Sequence, residues 1–257
     1  MRIGVCAGPE NIAGPMDGLD YIEPAVGSLL CPAEPAAAFA DRLAAAGACA
    51  VPAEAANCLL PRELKTTGPD VDRSALDVYI ATVCRRARQA GLKVLVFGSG
   101  GSRQVPEGFD RARATDQLVE HLKRWAPVAA ECDLVLVVEP LQKSDCNIVN
   151  TVAEGAGIVR RVGHPNVRLL ADTYHMGSDG DGPEAIVAAG ELIAHTHCAE
   201  VAGRVPVGLG GEDQRPYFRA MKDAGYAGRI SIEARWEDLA AQLPAALAGL
   251  RRQIEEA

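Results

Sequence analysis

Short apolar runs, each followed by a loop and a stretch with apolar residues at helical spacing, recur along the whole chain. The runs fall at Ile3–Ala7, Tyr21–Pro24, Ala50–Glu54, Lys93–Phe97, Leu134–Glu139, Val167–Asp172, Ala194–His197 and Ile230–Glu233. The later ones are continuously apolar, as expected of parallel strands covered on both faces. Between them the pattern predicts helices over Pro35–Ala46, Asp72–Ala90, Asp110–Cys132, Thr151–Val162, Pro183–Ala189, Gln214–Ala224 and Trp236–Ile254. Gly47, Gly91, Gly163, Gly190 and Gly225 stand at or near helix ends, where a glycine reverses the chain cheaply. The segment Asn11–Gly18 is weakly patterned and predicts a single turn at most.

Alternation of strand and helix implies a parallel α/β fold. Eight strands in 257 residues favour a closed (β/α)8 barrel spanning the chain as a single domain. An open doubly wound sheet is the alternative. Its glycine-rich nucleotide fingerprint is missing, since Ala7-Gly8-Pro9-Glu10 follows the first strand.

Composition narrows the partners. The net charge of −8 repels phosphate backbones and disfavours nucleic-acid binding, while leaving room for a local basic pocket. No apolar run approaches the roughly 20 residues a membrane helix needs, and no secretory signal precedes the first strand, so a cytoplasmic protein is expected. None of the eight cysteines forms a CxxC pair, which removes zinc-ribbon and thioredoxin readings and predicts reduced, mostly buried thiols. Cys146 and Cys198 lie near the candidate site in sequence and read as small core residues.

The chemistry sits at strand ends. Leu134-Val135-Leu136-Val137-Val138 ends in Glu139, Val167-Arg168-Leu169-Leu170-Ala171 in Asp172, His195-Thr196 in His197, and Arg229-Ile230-Ser231-Ile232 in Glu233. Alone, each reads as a surface carboxylate or a core histidine. Together, on four consecutive strands of a barrel, they converge on the face where active sites form. Three carboxylates and an imidazole repel or desolvate one another unless a cation joins them. The oxygen-rich donor set suits Mn²⁺ or Mg²⁺, tolerates Co²⁺, and fits Zn²⁺ less well. His197 is preferred to His195 on the expectation that strand alternation turns one of them inward, and partly on the resemblance that follows.

At these residues the chain resembles the xylose isomerase-like TIM barrel superfamily, in its sugar isomerase/epimerase branch typified by ketose 3-epimerases. Glu139-Pro140-Leu141 with Asp145 and Asn150-Thr151 is similar to that branch's fifth-strand motif. Asp172-Thr173-Tyr174-His175-Met176, His195-Thr196-His197-Cys198-Ala199-Glu200 and Ser231-Ile232-Glu233 resemble the next three. The resemblance implies Glu139, Asp172, His197 and Glu233 as ligands of one divalent metal, with Glu139 and Glu233 as the acid/base pair. It also implies that His175 and Arg204 bind substrate hydroxyls, and that the protein is a homodimer or homotetramer. Two departures lie in the substrate shell. Asp145 stands where the family has Glu, and Arg204 falls seven residues after His197 instead of six, with Gly203 in the expected slot.

The implied activity is proton transfer beside the carbonyl of a ketose or related polyol, through an enediolate that the cation stabilises. A lyase or dehydratase acting on a keto sugar or inosose is the alternative, because the same base can expel a β-leaving group. An endonuclease of the same fold needs a multi-zinc, histidine-rich cluster, and five histidines are too few. Among further candidates, Asn57 could hydrogen-bond sugar hydroxyls. Gly98-Ser99-Gly100-Gly101-Ser102-Arg103 reads as a plain glycine loop or, less readily, as an anion cradle. Glu23 ends the second strand, Gly208–Asp213 shapes the rim, and Trp236 either covers the pocket or begins the last helix.

Overall fold

The computed structural model describes residues 1–257. Eight strands, β1 (Arg2–Val5), β2 (Tyr21–Ile22), β3 (Ala55–Ala56), β4 (Val94–Phe97), β5 (Val135–Val138), β6 (Val167–Asp172), β7 (Ile193–Cys198) and β8 (Arg229–Ile232), form one parallel sheet. Their order is β2-β1-β8-β7-β6-β5-β4-β3. The two outer strands meet through isolated bridges, Ile22 with Ala53 and Ala25 with Asn57, so the barrel closes at a seam of single contacts.

Ten α-helices surround it: α1 (Val26–Leu29), α2 (Ala36–Ala48), α3 (Arg73–Gln89), α4 (Gly100–Arg103), α5 (Arg111–Glu131), α6 (Val152–Val162), α7 (Thr173–Asp179), α8 (Glu184–Ala189), α9 (Arg215–Asp223) and α10 (Leu239–Glu256). Asp72, Asp110, Thr151 and Asp238 cap the amino ends of α3, α5, α6 and α10, each side chain accepting a backbone N–H three residues on. No helix is long and apolar enough to cross a membrane.

Two apolar clusters divide the interior. The larger, of 59 residues, lies between sheet and helices, where most of the apolar burial therefore sits. The smaller, Tyr21, Ala55, Val94, Val96, Val137 and Leu170, fills the barrel lumen as a thin plug. Gly4 lacks a side chain because the Tyr21 ring occupies the place of its Cβ.

The structure departs from the predicted elements in three places, the third strand, the start of the last helix and α7. The third strand is Ala55–Ala56, not Ala50–Glu54. Every strand of a closed barrel has two neighbours, and Pro52 has no N–H to give a ladder. Its carbonyl instead accepts from Ile22. The last helix begins at Leu239 because Asp238 is its cap, leaving Trp236 in the loop. Around Asn11–Gly18 only a 3₁₀ turn over Pro9–Asn11 forms. Helix α7 follows β6 without a loop and escaped the apolar pattern, because Asp172 both ends the strand and caps the helix through Tyr174 N–H at 2.8 Å.

Candidate active site

Alternation along each strand builds the site in layers. Residues two apart share a face, so Val137 in the lumen plug places Glu139 above it and Leu170 places Asp172. Tyr21 places Glu23 in the same way, His195 places His197, and Ser231 places Glu233. The polar groups form a storey over the plug at the carboxyl ends of the strands.

Within that storey one donor atom from each of Glu139, Asp172, His197 and Glu233 lies within 4.8 Å of the other three. His197 Nδ1 stands 3.0 Å from Glu139 Oε1 and 3.5 Å from Glu233 Oε2. Asp172 is 1% exposed, and its Oδ2 is buried without a hydrogen bond. A buried, unpaired carboxylate oxygen among two further carboxylates is costly unless a cation accepts it. The strand β4 turn is shaped for the same cluster, since a Cβ on Gly98 would overlap the Glu139 carboxylate. These residues fit a divalent cation, with one imidazole nitrogen and three carboxylates as its ligands.

The surrounding side chains close in. Arg204 Nη2 pairs with Glu233 Oε2 at 2.5 Å and lies 4.0 Å from Asp172 Oδ2, while its guanidinium sits 4.5 Å from the centre of the Tyr174 ring. Gly203 and Arg204 both adopt left-handed backbone, φ 73° and 54°. This turn brings the arginine back over the site, beside Glu233. His175 Nε2 is 3.5 Å from Asp172 Oδ2, and its Nδ1 accepts the Gln142 N–H at 3.2 Å. Asp145 bonds Gln142 Nε2 at 3.0 Å and stands 4.0 Å from His175 Nδ1. Asn57 Nδ2 reaches Glu233 Oε1 at 3.5 Å across the barrel seam.

Residues 17–254 match the family model for the xylose isomerase-like TIM barrel. The chain belongs to that family. D-psicose 3-epimerase of Agrobacterium fabrum is 33% identical over 136 residues, 51% of this chain and 44% of the relative. A putative hydroxypyruvate isomerase of Homo sapiens is 31% identical over 139 residues, 51% of this chain and 50% of the relative. The matched sequence thus spans about half the length of these relatives. The crystal structure of D-allulose 3-epimerase from Methylomonas sp. with D-allulose superposes with a TM-score of 0.81 at 22% identity, covering 98% of this chain and 97% of that one. The sheet order and the (β/α)8 closure are those of the xylose isomerase-like barrel.

The electrostatics of this family member's site follow from crowding. Burial works against charge on His197, but Glu23 and then Glu139 outweigh it, and the imidazole is held well above its ordinary value in the metal-free protein. Burial raises the Asp172 carboxyl. Burial would raise Glu233 too, yet His197 and Arg204 hold it below the usual carboxylate range. Nδ1 of His197 and Glu139 Oε1 can approach to 3.0 Å only with a proton or a cation between them.

The eight residues expected from sequence all reach the same end of the barrel, but four features of the reading change. His195 and His197 do not face opposite ways: two residues apart on one strand, both are fully buried and both contact Glu23. The glycine-rich segment after β4 is not a plain loop, because its residues Gly100–Arg103 fold into α4. Arg103 there is fully buried, donating to the carbonyls of Phe97 and Glu139 at 2.9 Å each. Cys146 and Cys198 are core residues as expected, whereas Cys6, at the end of β1, places its sulfur within 4.8 Å of His197 and Glu233 donor atoms. Glu23, ranked low among the loop residues, lies directly behind His197. The signal for Cys6 and Glu23 was their position as strand-end residues on β1 and β2, the same criterion that found the others.

Proposed function

We propose that this protein is a divalent-metal-dependent sugar epimerase or isomerase that moves a proton beside the carbonyl of a ketose or related polyol. The observation that carries this reading is the placement of two glutamates, Glu139 and Glu233, within one four-donor cluster at the barrel mouth. Similarity to ketose 3-epimerases supports the substrate class.

Glu139, Asp172, His197 and Glu233 would hold one divalent cation, Mn²⁺ being the best match to three carboxylates and one imidazole. Bound there, the cation supplies Lewis acidity that polarises the carbonyl and acidifies the neighbouring C–H. Glu139 and Glu233 come from β5 and β8, on different sides of the lumen, so a substrate between them meets one carboxylate on each face. One takes the proton from carbon and the other returns a proton to the opposite face, or to the adjacent carbon. Arg204 moderates the basicity of Glu233 through its 2.5 Å pair and offers its remaining N–H groups to sugar oxygens. His175, Asp145 and Asn57 line the same mouth and orient hydroxyls, which holds the reacting carbon between the two bases. Arg103, sealed into the core with its donors on the Phe97 and Glu139 carbonyls, is not free to hold a substrate phosphate.

The test is incubation of the Mn²⁺-loaded protein with a panel of ketoses and 3-keto-glycosides in D₂O. Epimerised or isomerised product carrying solvent deuterium on carbon is expected. Loss of water or of a glycoside, with an unsaturated product, would replace this reading by the lyase one. No turnover of any member with saturating cation would overturn both.

A further inference from the structure

Behind the donor cluster a single carboxylate gathers groups from three strands. Glu23, at the end of β2, is fully buried. Its Oε2 receives His195 Nε2 at 2.8 Å and Ser231 Oγ–H at 2.5 Å, and its Oε1 receives His197 Nε2 at 2.9 Å. Ser231 Oγ lies 2.7 Å from the Tyr21 hydroxyl, so with the serine proton given to Glu23, Tyr21 is the donor of that pair.

We propose that Glu23 is a positioning residue that fixes the tautomer of His197 and thereby sets the affinity of the donor cluster for its cation. This rests on the metal-dependent reading above. A carboxylate only accepts hydrogen bonds, so the ring nitrogen it holds must carry the hydrogen. That nitrogen is Nε2. Nδ1 stands 3.0 Å from Glu139 Oε1 and 3.5 Å from Glu233 Oε2 and carries a hydrogen of its own only while no cation is there; a cation takes its place, and the one N–H left on the ring is the one Glu23 holds. The other tautomer would turn an N–H toward the cation and leave Nε2 and Glu23 Oε1 facing each other as two acceptors in a site without water access. Because Oε2 is occupied by His195 and Ser231, the Glu23 carboxylate cannot rotate away to relieve that conflict. Its negative charge also makes the imidazole a stronger donor, as outer-shell carboxylates do for metal-bound histidines. Of the four donors Glu23 hydrogen-bonds His197 alone, while its charge is also felt by Glu233 at longer range.

The experiment compares wild-type protein with Glu23→Gln and Ser231→Ala. Mn²⁺ affinity is read by competition with a chelator, kcat and KM at saturating Mn²⁺, and the two ring nitrogens of His197 by ¹⁵N NMR of the protein loaded with diamagnetic Mg²⁺. The wild type should show pyridine-type nitrogen at Nδ1. Glu23→Gln should hold Mn²⁺ about 10–100-fold more weakly, with kcat at saturating Mn²⁺ within a few fold of wild type. Ser231→Ala removes a donor from Oε2 and the acceptor of the Tyr21 hydroxyl but leaves the Oε1–His197 bond, and should change the affinity by less than that. Pyridine-type nitrogen at Nε2 in the wild type, or equal Mn²⁺ affinity in Glu23→Gln and wild type, would overturn the proposal. The NMR measurement stands even if the glutamine variant fails to fold. A wild type that binds no divalent cation removes the metal-dependent reading itself, and is distinguished by that first titration.

Discussion

Gly98 and Glu139 share one volume: the space a Cβ would fill on the glycine is taken by the glutamate's carboxylate. The last backbone turn of β4 therefore sets how far Glu139, on the neighbouring strand β5, can lean into the donor cluster.

Gly98→Ala should push that carboxylate out of place. Overpacking at such a contact costs about 1–3 kcal/mol, here borne partly by the fold and partly by the site. We expect Mn²⁺ affinity to drop at least about tenfold, since roughly 1.4 kcal/mol is one decade, with a folded circular dichroism spectrum. Calorimetric titration checks it, and unchanged affinity would show that Glu139 has freedom the structure does not display.

The two glutamates can be tested singly. Glu139→Gln and Glu233→Gln keep the shape and remove a base, and each should lower kcat about 10²–10⁴-fold. Stopped-flow or chromatographic rates on the best ketose measure this at saturating cation. Retention of full rate by either variant would assign the proton transfer elsewhere.

Cation binding should depend on pH with a definite sign. His197 is held protonated above its ordinary range by Glu23 and Glu139, although burial opposes it. The cation needs Nδ1 without a proton, so binding releases one. Below the raised His197 value, affinity should fall about tenfold for each unit decrease in pH, and above it the dependence should flatten. Titrations at several pH values with proton-release calorimetry test this; a flat profile throughout contradicts it.

Cys58 reports on the same charges from outside. Its side chain meets solvent, yet burial of its surroundings, followed by Glu233 and Glu139, pushes the thiol up to about 11. Alkylation by iodoacetamide should be slow at neutral pH and rise about tenfold per unit of pH toward that value, because the thiolate is the nucleophile. Loading the site with Mn²⁺ offsets both carboxylates and should accelerate the reaction. Labelling that ignores the cation would place Cys58 beyond the reach of the site's field.

The barrel and the convergence of Glu139, Asp172, His197 and Glu233 were legible because apolar runs and their ionisable ends are properties of single strands. The lost information lay between strands. Pro52 had to be judged by its neighbours before Ala50–Glu54 could be rejected and Ala55–Ala56 accepted. Arg103 looked available until the fold spent its donors on Phe97 and Glu139 carbonyls. The positions of Glu23 and Cys6 needed the pairing of β1 with β8, which brings the first and second strands against the seventh and eighth. His195 was misjudged by counting alone, since the two-residue period places it with His197.

The closure between β2 and β3 has a consequence for motion. Elsewhere the staves of the barrel are joined by ladders of two or more paired residues, but there only the isolated bridges Ile22 with Ala53 and Ala25 with Asn57 hold the edges. A hoop parts where its join is thinnest, and Asn57 belongs to that join while also touching Glu233. Opening at that join would draw Asn57 away from Glu233, while the strands that carry Glu139, Asp172, His197 and Glu233 stay paired with one another.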